Sequence, residues 1–270
     1  MIDIKGIVKI NTKNVKPFWS KSEEPTKSPI LNLISLSDGH QEMPRFLKRT
    51  ETKYAQMPLF KTLGDRGISN RLLDSLLEFL PDGAVIAGGF MTSVMQGDKL
   101  AKDVDIFFTS AKAFDETCQL FLNPPEDEEA WAYHDYKLDP STDLDAFSSN
   151  NGQAFRFLKF VHPTRLPVQL VKLVWYDSPE HVIDSFDFTV AQFAASGTSL
   201  YCNPLSVFDL AKKRLVLHRI QFPASTLRRL IKYTHKGYYA CPGSLEVIAE
   251  ESAKAINENP EILQGYVYLD

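Results

Sequence analysis

Asp103 and Asp105, separated by Val104 and followed by Ile106-Phe107-Phe108, are the residues of this chain best suited to do chemistry. In an extended strand, side chains two apart share a face, so both carboxylates point one way while Val104 and Ile106 turn into a core. Held that close they repel each other, and the pair is costly unless a cation neutralises it. Oxygen ligands without Cys or His select magnesium or manganese, and magnesium keeps part of its shell for water and substrate phosphates. The pair predicts a metal-nucleotide site. A solvated strand end is the plainer alternative for an Asp-x-Asp standing alone.

Gly88 and Gly89 supply a second half. They end the apolar run Ala84-Val85-Ile86-Ala87 and lead into "FMTSVMQ", a short helix. Without Cβ atoms they let the backbone approach a phosphate, and a helix N-terminus beside them offers free amides. Thr92 and Ser93 add hydroxyls. A glycine pair by itself is more often a tight strand-to-helix turn. Paired in this order with an acidic strand, the two features point to an anion cradle beside a dication.

A third candidate is "STLRRLIKYTHKGYY". Leu227, Leu230 and Ile231 form an apolar stripe at helical spacing, and Arg228, Lys232 and His235 fall at i, i+4 and i+7 on another face. Such a face holds a triphosphate, tracks an RNA backbone, or is an ordinary solvated surface. Lys212, Lys213 and Arg214 carry the same ambiguity. The six histidines show no HExxH spacing, there is no P-loop or Gly-x-Ser-x-Gly elbow, and the three cysteines form no CxxC. The acids of "DEEAWAYHD" read as a solvated run.

The elements that must position these residues follow from periodicity and punctuation. Leu72, Leu73, Leu76, Leu77 and Leu80 predict a helix over 69–80, stopped by Pro81-Asp82-Gly83. Strands are expected at 84–87 and 103–108, then a helix capped by Ser110 and stopped at Asn123-Pro124-Pro125. An acidic, Ser/Asn-rich surface loop spans 124–152. The segments "AFRFLKFVH" and "PVQLVKLVWY" form a hairpin, followed by a helix near 178–185 and a second hairpin made of "FDFTVAQFA" and "TSLYC". Everything after Asn203 reads as helical. This order predicts an α+β protein with a mixed, mostly antiparallel sheet and a C-terminal helical portion. We divide it into an N-terminal arm (1–65), a core (66–202) and the helical portion (203–270).

Global properties narrow the partners. At 270 residues and 44% hydrophobic, the chain can bury a substantial core. Its net charge of -4 gives no global basic footprint, so nucleic-acid contact rests on local patches. No signal peptide and no apolar run long enough to span a membrane are present, and unpaired cysteines suit a reducing compartment. A cytoplasmic protein without membrane contact is expected.

Gly88-Gly89, a spacer from Phe90 to Lys102, and Asp103-Val104-Asp105-Ile106 resemble the signature of the nucleotidyltransferase superfamily typified by DNA polymerase β, poly(A) polymerases and CCA-adding tRNA nucleotidyltransferases. The resemblance implies an enzyme that uses two Mg2+ or Mn2+ ions to position a nucleoside triphosphate such as ATP. An acceptor hydroxyl attacks the α-phosphate and pyrophosphate leaves. The metals fall to Asp103 and Asp105, and the triphosphate to Gly88, Gly89 and Ser93, with Arg228 and Lys232 as further binding candidates. The poly(A) and CCA-adding branch implies an RNA 3′ end as acceptor, and other branches imply a protein hydroxyl. A third acid is also implied. The strand "PVQLVKLVWY" lacks one and carries the neutral Gln169, so Asp187, opening the apolar run Phe186-Asp187-Phe188, is the candidate for both metal binding and catalysis. Asp184 is the alternate. Two competing readings remain: a degenerate, non-catalytic nucleotide-binding or partner-binding module, favoured by Gln169, and a glycosyltransferase, which leaves the glycine pair unexplained.

Overall fold

A computed structural model describes residues 55–58, 68–97, 101–140, 156–172 and 174–258. The arm expected at 1–65 and the Ser/Asn-rich part of the expected surface loop lie largely outside these. The chain divides into two compact units: one holds 56–184 and 191–202, the other the residues up to Ala55, 185–190 and those from 203 onward.

The first unit is built on an eight-stranded sheet. Its strands are β1 (Ala55–Pro58), β2 (Ala84–Ala87), β3 (Val104–Phe108), β4 (Lys137–Leu138), β5 (Arg156–Val161), β6 (Val168–Lys172), β7 (Phe193–Ser196) and β8 (Ser199–Cys202), in the order β1-β8-β7-β2-β3-β6-β5-β4. The β3–β6 pair is parallel, whereas β2–β3, β2–β7, β4–β5, β5–β6 and β7–β8 are antiparallel. The fold is therefore α+β with a mixed, mostly antiparallel sheet. Central β2 is buried along its whole length, as its uninterrupted apolar sequence requires.

Among the described residues, this unit contains the helices α1 (Ile68–Phe79), α2 (Gly89–Gln96), α3 (Ala111–Leu122) and α4 (Pro179–Asp184). α3 starts where Ser110 accepts the Ala113 amide and ends at Asn123. It covers the sheet face carrying Val104, Ile106 and Phe108, with Phe114 edge-on to Phe108 and Phe121 stacked on Phe160. Each fully buried side chain of this kind contributes about 1.5–3 kcal/mol. The opposite face is covered only in part: Phe107 meets Tyr176, which in turn meets His181 of α4. The acidic run beyond α3 is not merely solvated. Glu128 and Glu129 face water in a 3-10 turn, but Ala130, Ala132 and Tyr133 are buried, and the Tyr133 hydroxyl donates to the Leu76 carbonyl.

In the second unit, α5 (Pro204–Ala211), α6 (Pro223–His235) and α7 (Pro242–Glu258) accompany a small parallel pair, β9 (Arg214–Leu215) and β10 (Tyr239–Ala240). The continuous helix expected over 206–220 therefore stops early. Lys213 adopts a left-handed conformation, and the backbone runs on extended so that Leu215 and Leu217 are fully buried. The interior Asp209 accepts from both Arg214 and Thr189, which ties the end of α5 to the strand after it. No helix among the described residues is long and apolar enough to cross a membrane.

Candidate nucleotide site

The site grows from one register. β2 and β3 run antiparallel with Ala87 opposite Asp105, so the turn that follows Ala87 lies beside the residues that precede Val104. Gly88 and Gly89 are thereby brought to the same sheet end as Asp103 and Asp105. Val104 and Ile106 are fully buried, while Asp103 and Asp105 are half-buried on the other face, the alternation expected of this strand.

The two glycines have different roles. Gly88 has φ +79° and ψ −143°, a conformation that side chains with a Cβ rarely adopt. Gly89 has no such demand, but a Cβ built there would meet nothing within 4 Å, so its missing side chain leaves open space at the first turn of α2. Gly88 brings no side-chain cap, and the first-turn amides of a helix lack partners within it. Thr92 is not the expected phosphate donor: its hydroxyl points back to the Gly88 carbonyl at 3.1 Å. Ser93 is buried in the second turn.

Gln169 completes the cluster. The parallel β3–β6 register sets it opposite Asp105, and its amide Nε2 donates to Asp103 Oδ2 at 3.0 Å. On its other side, β5 places Lys159 opposite Gln169, and Lys159 Nζ is held 3.2 Å from Asp139. One row of the open face thus reads Asp105, Gln169, Lys159. Among the described residues, no group of three or more His, Cys, Asp or Glu is arranged to hold a metal ion. Two carboxylates on one strand face, one of them bonded to an amide, suit one divalent cation with phosphates and water as its remaining ligands.

The strand expected at Phe186-Asp187-Phe188 is absent. Only Phe188 forms an isolated bridge, to Leu217, and a 3-10 turn at Thr189–Ala191 separates it from β7. Asp187 belongs to the second unit and not to the unit of Asp103 and Asp105. Its carboxylate accepts from Arg229 of α6 at 2.5 Å, and its carbonyl accepts the amides of His218 and Arg219. Asp184 is buried at the end of α4. On α6, Arg228 and Lys232 are half-buried and His235 is exposed. The apolar stripe is narrower than its spacing suggested: Leu230 is buried but Ile231 is half exposed. Sequence reasoning passed over Arg229 and Lys159. The signal for Arg229 was its spacing from Tyr233, because consecutive residues Asp187 and Phe188 meet this i, i+4 pair on one helix face.

A family model described as Gad2, Gabija anti-defense 2 family protein, matches residues 52–213. A curated relative, Gabija anti-defense 2 of Bacillus phage SPbetaL7, is 30% identical over 158 residues, which make up 57% of this chain and 34% of that protein. Among solved structures, a CCA-adding enzyme in complex with ATP superposes with a TM-score of 0.53 at 18% identity, and an apo form of a CCA-adding enzyme with 0.52 at 16%. Both matches cover 78% of this chain, which spans about half of those enzymes (50% and 49%). At such identities the likeness establishes the fold, that of the nucleotidyltransferases, and leaves the reaction open. With the family model covering more than half of its length, the chain belongs to the Gabija anti-defense 2 family.

Proposed function

We propose that this chain binds a nucleoside triphosphate with a divalent cation at Asp103 and Asp105 and transfers its nucleotidyl group to an acceptor hydroxyl, in the service of countering a bacterial defence. The observation that carries the reading is the β2–β3 register, which sets the Gly88-Gly89 turn beside the carboxylate pair. The counter-defence role is extended from the relative's name. When bound, the cation neutralises phosphate charge. The first-turn amides at Gly89 and beyond bind the β- and γ-phosphates, with Ser93 as a further hydroxyl donor, and the Asp pair orients the α-phosphate. The acceptor oxygen forms its bond to the α-phosphorus as the bond to the β-phosphate oxygen breaks. Pyrophosphate leaves, and the acceptor proton passes to solvent.

An RNA 3′ end is the acceptor we favour. A protein hydroxyl is the alternative. A second reading, retention of the nucleotide without transfer, is favoured by two observations: Gln169 is an amide bonded to Asp103, and the Asp187 carboxylate is engaged by Arg229.

The test is to incubate the protein with each α-labelled triphosphate, magnesium or manganese, and separate RNA and protein pools. Label appearing in one pool, and lost in Asp105→Ala, supports transfer and names the acceptor class. Tight binding with no labelled product supports retention. Absence of any triphosphate binding refutes both readings.

A further inference from the structure

We propose that Gln169 fixes this site at one divalent cation. The inference rests on the triphosphate-binding reading, which transfer and retention share.

Asp103 and Asp105 give two carboxylates on one strand face, enough with triphosphate oxygens and water to hold one divalent ion. A second ion would need another anionic ligand on the same face, within reach of both carboxylates. The register leaves one adjoining place on β6, directly opposite Asp105, and Gln169 fills it. An amide of that size is neutral, and here its NH2 group, the positive end of the amide dipole, is turned toward Asp103. Its donor end repels a cation at that side and uses one of the oxygen sites that Asp103 would otherwise offer.

The next place in the row, on β5, holds Lys159, whose ammonium is fixed to Asp139 on the far side. That place therefore offers no carboxylate to a second dication either. Beyond Asp103 and Asp105 the row thus continues with an amide and a lysine, and neither is an anionic ligand. Gln169 also restrains Asp103, so that a carboxylate beside a glycine turn keeps one orientation before any ligand arrives.

The experiment counts manganese. With a non-hydrolysable ATP analogue at saturation, Mn2+ bound per chain is measured by electron paramagnetic resonance of the free ion. The wild type is expected to bind one ion. Gln169→Glu, which adds a carboxylate at nearly constant size, is expected to bind two, and Gln169→Leu one. A count of two in the wild type overturns the role of Gln169 while leaving the nucleotide site intact. A count of zero, with no analogue bound, overturns the nucleotide site and this inference with it. A count of one in a folded Gln169→Glu also overturns it. Should that variant fold poorly because three carboxylates crowd one face, the wild-type count still decides, and stabilisation of the variant by Mn2+ without nucleotide gives a second readout. A rise in melting temperature at least twice that of the wild type is expected there, and no greater rise overturns the inference.

Discussion

Replacing Asp187 by Ala separates a structural carboxylate from a catalytic one. Its side chain is 4% exposed and its partner Arg229 is 32% exposed. Removing one member of a fully buried ion pair costs about 3–5 kcal/mol, because the other charge is left without compensation. Water can reach a third of Arg229, so part of that penalty is relieved, and surface pairs of this kind contribute only ~0.2–1 kcal/mol. The pair is intermediate, and a loss of about 2 kcal/mol is expected. The Asp187 carbonyl still accepts from His218 and Arg219 in the variant, so the segment keeps its main-chain anchors. Urea unfolding of wild type, Asp187→Ala, Arg229→Met and the double variant completes the cycle. The double variant should be no less stable than Asp187→Ala, since no lone charge remains. Triphosphate affinity should stay within about twofold of wild type. The reasoning fails if Asp187→Ala unfolds like wild type yet loses Mn2+ or nucleotide binding, for then the carboxylate serves the site and not its own unit.

Other expectations follow from the same geometry. Asp103→Asn and Asp105→Asn should each lower Mn2+-nucleotide affinity at least tenfold in calorimetric titration while the ligand-free protein still unfolds cooperatively. Gly88→Ala should lose about 1–3 kcal/mol of stability through its backbone conformation, whereas Gly89→Ala should fold normally and weaken only triphosphate binding; equal stability losses in the two would contradict the difference between them. His162 Nδ1 accepts the amides of Thr164 and Arg165, and burial, then the neighbouring Arg165 guanidinium, lower its pKa. The unfolded chain then binds the proton more readily, so stability should be full above the ordinary histidine pKa near 6.5 and fall as pH drops through the lowered folded value. Denaturation midpoints against pH, flatter in His162→Asn, check this.

Local signals were legible where one level of structure decides the outcome. β2 and the Ser110 cap follow from an apolar run and a single hydroxyl. The alternation around Val104 likewise needed only the two-residue period of a strand. What escaped the sequence depends on pairing between distant segments. Phe186-Asp187-Phe188 has the composition of a strand, but Arg229, 42 residues away, and Leu217 draw it to another unit. The run 212–220 is helical by propensity, and the buried Arg214–Asp209 pair and the β9–β10 bridge override that preference. Gln169 was visible as a neutral residue where an acid was sought. Its bond to Asp103 was not, because it spans 66 residues and depends on a parallel register that no local pattern specifies.

The second unit is assembled from separated stretches of chain, among them 185–190 and the residues from 203 onward. Neither unit can therefore be inherited, excised or grafted as one uninterrupted segment. A gene cut after Cys202 would retain the six-residue stretch but discard Leu217, Tyr233 and Arg229, exposing Phe188 and leaving Asp187 without its cation. Exchange between related genomes by recombination at a single point would then yield a sheet unit trailing an unmatched apolar loop. The family model itself ends at residue 213, inside this composite unit. Residues beyond that point, Leu217, Arg229 and Tyr233, supply the partners of Asp187 and Phe188, which are encoded upstream of it.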